Sequence, residues 1–337
     1  MIPGRTWLAT ALIIAAAAPG CAGQAAQQDV QTVSAGAEEA HTAEATPLSL
    51  LDVVPVEASG AVLLEVGHLR SSFRGPELIE ILRRVGGEVW EQALGIYLAT
   101  DVRRAVVYSL PRPDGGPGDL SDVVTAARDG LHGLLVELEE LPEGVAGECT
   151  AEMLASSAPR PLDAPIPGVL EQSCGRLRLL RRETLPEVTV DLAERSPAGV
   201  TLATAAESEG VVLVLAIGPA MTDHAACDGH EARLAGWQAA SIDLSLGLAL
   251  RGRYHAAAVE DIEGLEACVA DGLGGLGGVP LFQQLELGDL LADGRVARDP
   301  GRPGEVVLDV SFSFDQLESF LGLLELVGEG FVGDLFR

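Results

Sequence analysis

The residues whose types and spacing best suit chemistry lie in TDHAACDGH at 222–230, where His224, Cys227 and His230 recur every third position beside Asp223 and Asp228. Imidazole, thiolate and carboxylate are the usual ligands of zinc and copper. On a helix, each three-residue step leaves the next group about 60° behind the last, so the set shares a broad face without converging. Cys227 also has a competing fate in a disulfide, and the segment reads as an exposed helix start with no metal. A second candidate is the acidic run Glu137, Glu139, Glu140 and Glu143. A glycosidase needs two carboxylates facing each other across a sugar, which adjacency in sequence does not supply. Only three Trp are available as sugar platforms, and one of them is Trp7 near the N-terminus. The run reads as a solvated edge.

Other catalytic routes close on residue type. All 22 basic residues are Arg, and the chain contains neither Lys nor Asn. A Walker-type phosphate loop and a Schiff-base cofactor both need Lys, and N-glycosylation needs Asn. No Gly-x-Ser-x-Gly elbow occurs. The glycine run Gly272, Gly274, Gly275, Gly277 and Gly278 follows a helix, whereas a nucleotide loop must precede one so that the helix N-terminus faces the phosphates. It reads as a helix terminator and connector. The expectation is a protein with no catalytic residues and no cofactor.

The cysteines carry a different chemistry. Setting Cys21 aside leaves Cys149, Cys174, Cys227 and Cys268, an even number that suits two disulfides in an oxidising compartment. Of three connectivities the sequential one, Cys149 with Cys174 and Cys227 with Cys268, fits the local context best. Its first bridge closes a loop holding Pro159, Pro161, Pro165 and Pro167, a stretch with little regular structure of its own.

Charge narrows the partners. The formal net charge is -28, which repels phosphate backbones and argues against nucleic acid. The basic run RLRLLRR, with Arg176, Arg178, Arg181 and Arg182, reads as a solvated face answering nearby carboxylates.

Residues 1–20 begin with Arg5 in a weakly positive segment and continue as an unbroken apolar stretch from Trp7 to Ala18. Such a stretch is too short for a membrane span, for which about 20 apolar residues are needed, and reads as a signal peptide. The following Ala18-Pro19-Gly20-Cys21 resembles the lipobox of bacterial lipoproteins, although Ala18 stands where Leu is usual and Pro19 is atypical. The resemblance implies lipidation of Cys21 and a membrane anchor. Residues 21–46, rich in Ala, Gln, Glu and Thr, read as a flexible tether holding the body roughly 25–30 Å from the bilayer.

The elements that would position any site are mixed. Residues 241–250 alternate as one strand, with Ile242, Leu244, Leu246, Leu248 and Leu250 on one side. Residues 305–314 do the same through Val306, Leu308, Val310, Phe312 and Phe314. VTVDL at 188–192 reads as a short strand, and 199–218 as two strands around a Glu-Ser-Glu-Gly turn. Helical spacing appears after Pro76 (Leu78, Leu82, Val85, Val89, Ala93), from Glu260 (Ile262, Leu265, Val269, Leu273), and from a Ser313/Gln316 capping box. The mixture predicts an α+β fold, an antiparallel sheet or sheets with helices packed on one face. The Pro-rich segment 158–167 would link two halves, 47–157 and 168–337, similar enough in layout to suggest duplication, and a single continuous sheet fits the same pattern.

Taken together, a lipobox, an Ala-rich tether and an α+β body make the chain similar in layout to uncharacterised lipoproteins of high-GC Gram-negative bacteria such as myxobacteria. That resemblance implies residence in the cell envelope, at the outer membrane facing the periplasm or the cell surface. The expected role is non-enzymatic, binding an envelope protein or serving a structure. The alternatives are a module for a lipid or other apolar small molecule, held between sheet and helices, and an enzyme assembled from distant positions.

Overall fold

The structure, a computed structural model, describes residues 47–83, 91–92, 94–110, 132–145, 147–162, 168–183, 195–207, 210–219, 234–245, 248–278, 283, 288–313 and 316. Among them eleven strands form one sheet. These are β1 (Gly60–Leu64), β2 (Val102–Ser109), β3 (His132–Leu138), β4 (Arg160–Pro161), β5 (Val169–Cys174), β6 (Leu177–Arg182), β7 (Val211–Ile217), β8 (Gln238–Asp243), β9 (Leu248–His255), β10 (Arg295–Arg298) and β11 (Glu305–Phe312). Their order is β10-β11-β9-β8-β7-β1-β2-β3-β6-β5-β4, and each adjacent pair is antiparallel.

That order repeats about the β1–β7 pair. Outward on one side run β1, β2, β3 and then the β5–β6 hairpin entered through β6; on the other run β7, β8, β9 and then the β10–β11 hairpin entered through β11. The two sheet edges are blunt. Pro161 removes a donor from two-residue β4, and β10 carries Arg at both ends, so neither edge invites another strand.

Helices cover both faces of the sheet, rather than the one face expected from sequence. On one face α1 (Val66–Ser71), α2 (Gly75–Leu82), α5 (Ile262–Gly277) and α6 (Gly288–Ala292) pack through Leu69, Leu78, Leu265, Val269 and Leu291 onto Val102, Leu308 and Val310. On the other, a 3-10 turn at Leu50–Val53, α3 (Ala151–Ser156) and α4 (Pro197–Ala205) pack through Leu50, Leu154 and Leu202 onto Leu63, Val106, Leu135 and Val214. The physical reason is legible in the central strands: VVLVLAI of β7 is apolar at every position, so both faces of the sheet offer apolar residues for helices to pack on.

Three local expectations change. Residues 199–205 are helical, because Pro197 at the helix start and the Ala-rich PAGVTLATA outweigh the β-branched Val200 and Thr201. Residues 241–250 are two strands: the Asp243 carboxylate accepts from the Ser245 backbone N–H at 2.8 Å and folds the chain into a turn, so that Ile242 and Leu250 face each other across it. The glycine run does not stop its helix, since α5 continues to Gly277, held by Leu265, Cys268, Val269 and Leu273 against the sheet. By contrast, β11 buries Val306, Leu308, Val310 and Phe312 on one face, as its alternation requires. The Ser313/Gln316 box also forms, with Gln316 Oε1 accepting from the Ser313 N–H at 2.8 Å. The helix from Ser313 beyond Gln316, Phe314, the 188–192 strand, and Val85, Val89 and Ala93 of the helix after Pro76 lie outside the described residues.

Candidate functional site

The two faces of the central strands are covered unequally. On the face of α3 and α4, Ala61, Leu63, Val106, Tyr108, Leu135, Val214 and Ala216 are all buried. On the face of α1 and α5, Val102, Val136, Leu138 and Val212 of the same strands are buried, but a row nearer the middle is partly exposed. Register aligns Leu134, Val107, Val62 and Leu215 in one row across β3, β2, β1 and β7. Val107 is 42% exposed in the middle of the sheet, and its three row-mates are partly exposed, as are Leu64, Leu213 and Ile217 beside them. At each end of the row the next residue, Leu180 on β6 and Ala240 on β8, is buried again. The result is an apolar stripe four strands wide, about 14 Å across and about 13 Å along the strands. Its floor contains no charged side chain, and α1 packs on β2 and β7 at the end of the stripe where Leu64 and Leu134 meet the core of that face.

The opposite face carries a polar cluster at the end of the same strands. A β-bulge between Val102 and Arg104 sets Arg103 and Arg104 together opposite Glu137. Arg104 Nε donates to Glu65 Oε2 at 2.9 Å and Arg103 Nη1 to Glu137 Oε1 at 3.2 Å, and both carboxylates are buried. Glu137 Oε2 is buried with no hydrogen-bond partner among the described residues. Burial pushes the Glu137 carboxyl above its ordinary range, opposed by Arg103, Arg104 and Arg176 and reinforced by Glu65. The arrangement is a charge-balanced clamp: Arg70 pairs with Glu139, and Arg176 lies 3.1 Å from Glu148. On the same face the Tyr108 ring lies over Gly133, where a side chain would collide with it. Burial pushes the Tyr108 hydroxyl up to about 12, with Arg181 beside it acting the other way.

The residues singled out by sequence scatter. Cys149 and Cys174 are bridged, with Cα atoms 5.0 Å apart; Gly175, at φ 53°, turns the β5–β6 hairpin against the Cys149 backbone. Cys268 is disulfide-bonded and buried on the inner side of α5, whereas Cys227, given it as partner by sequential pairing, lies outside the described residues. So do Cys21, His224, His230, Asp223 and Asp228. The acidic run divides: Glu137 is buried instead of lying on a solvated edge, because β3 carries it inward beneath Arg103, while Glu139 and Glu140 are exposed. In the basic run, Arg178 lies 3.7 Å from Glu171 and Arg181 is buried, leaving Arg182 exposed at the end of β6. The stripe escaped sequence reading. Its signal is the all-apolar alternation of β7 and β1, which looks the same whether one face or both are covered.

No protein-family model, curated protein or solved structure matches this chain.

Proposed function

We propose that this chain is a lipid-anchored protein of the bacterial envelope that binds an apolar, lipid-like molecule on the stripe of its central strands and catalyses no reaction. Support for the anchor is Cys21 in its lipobox-like setting, between an apolar leader and a polar tether. The observation that carries the binding role is the exposure of Val107 at the centre of an eleven-stranded sheet, in register with Leu134, Val62 and Leu215.

Magnitude separates this reading from docking of a protein. The stripe covers about 200 Å² by strand spacing, whereas a stable protein complex buries about 800 Å² per partner. A protein would therefore have to recruit much surface beyond the stripe. A lipid-like molecule that covers it removes about 400 Å² from water on the two sides together, near 10 kcal/mol at about 25 cal/mol/Å². Association and ordering costs of 4 kcal/mol or more leave about 6 kcal/mol at most, an affinity of tens of micromolar or weaker.

Native mass spectrometry of the protein extracted from its own membranes tests the reading. The expected result is a co-purified apolar adduct that is lost in Val107→Glu. Unliganded mass in both proteins would remove the basis for it.

A further inference from the structure

We propose that the molecule held on the stripe is a single-chain amphiphile with an anionic head group, and that Arg182 receives the head. This rests on the stripe being an apolar binding site. The pairings Leu134↔Leu180 and Gly133↔Arg181 put Arg182 on the same face as Leu180, one row beyond Leu134. A diagonal cross-strand neighbour is about 8 Å away, within reach of an Arg side chain from the end of the stripe. Arg182 is exposed, and its guanidinium makes no ion pair or hydrogen bond among the described residues.

That state is unusual in this chain. With 50 acidic residues against 22 Arg, cations find partners readily. Arg70, Arg103, Arg104, Arg176, Arg178, Arg251 and Arg253 are all paired. Arg295, which also makes no ion pair among the described residues, stands on the edge strand β10, four strands from β7 and about 19 Å from the stripe. Arg182 is thus the uncompensated charge at the rim of an apolar floor. A chain lying across Leu134, Val107, Val62 and Leu215 spans about 14 Å and brings its head to the β6 end. A carboxylate or a phosphate monoester would complete the guanidinium, and a cationic head would be repelled. The acidic remainder of the surface opposes an anion at long range only weakly, because charges more than about 8 Å away are screened at physiological salt.

The test is isothermal titration of the full chain carrying Cys21→Ser, so that no anchor competes, with dodecanoate, dodecyl phosphate and dodecanol below their aggregation concentrations. The expected result is that at least one anion binds tenfold or more tightly than dodecanol. Arg182→Gln should bring that anion to parity while leaving dodecanol unchanged, which also shows that the variant is folded. Equal binding of all three, or an anion preference that survives Arg182→Gln, overturns the head-group assignment and leaves the stripe standing. Failure of dodecanol and both anions to bind overturns the stripe reading itself.

Discussion

Replacing Glu137 by Gln should stabilise the protein at neutral pH, although it breaks a drawn ion pair. Glu137 is buried, its Oε1 accepts from Arg103 at 3.2 Å, and its Oε2 is buried without a partner among the described residues. Gln leaves an amide nitrogen in the same unpartnered place but an uncharged one, and an unpaired buried group that costs about 1–3 kcal/mol when neutral costs more when it carries charge. The opposing loss is small, because Arg103 is 44% exposed and a half-solvated pair contributes only about 0.5–1 kcal/mol. The balance favours Gln by about 1 kcal/mol, roughly 2 °C in Tm for a chain of this size. The carboxyl is raised above its ordinary range in the folded state. The folded chain therefore keeps a proton in a window where the unfolded chain has released it, and stability falls as pH rises through that window. Thermal and urea unfolding at several pH values between 4 and 8 should show the advantage of Glu137→Gln growing with pH and vanishing at the acid end, where both side chains are neutral. A variant less stable than the parent at pH 7 would refute the reasoning, since it would mean that the Arg103 pair outweighs the burial of the carboxylate.

Replacing Cys149 and Cys174 together by Ser opens a loop of 25 residues and should cost about 3–4 kcal/mol by chain entropy, measured as a lower urea midpoint. Gly133→Ala should cost about 1–3 kcal/mol by forcing Tyr108 off its seat, and the double variant with Tyr108→Leu should recover part of that loss in the same assay. Cys21→Ser should abolish incorporation of radiolabelled palmitate and release the protein from the membrane fraction; unchanged labelling would remove the anchor from the proposal.

What the sequence made legible follows from which interactions are local. β11 could be read from its alternation, α5 from its 3.6-residue spacing, and the Ser313/Gln316 box from neighbours three residues apart. Propensity misled where a local hydrogen bond decided the outcome: Asp243 folds a chain that alternates without interruption across the turn. It misled again at 199–205, where an N-terminal Pro and small residues make a helix from a segment rich in strand formers. The stripe and the clamp were beyond reach for another reason. Both depend on register between strands far apart in the chain. Glu65 meets Arg104 across 39 positions, and Val107 is flanked by residues from β1 and β3. Single-sequence periodicity identifies two apolar faces on β7 without showing which of them a helix covers.

The central claim is that one face of the central strands is open to an apolar ligand while the other is closed. Methyl NMR of the Cys21→Ser chain during titration with dodecanol reads this directly, because the two faces alternate residue by residue along each strand. Shifts are expected for Val62, Val107, Leu134 and Leu215, with Leu63, Val106, Leu135 and Val214 unmoved. Shifts of equal size in both sets, or none in the first, would contradict the claim.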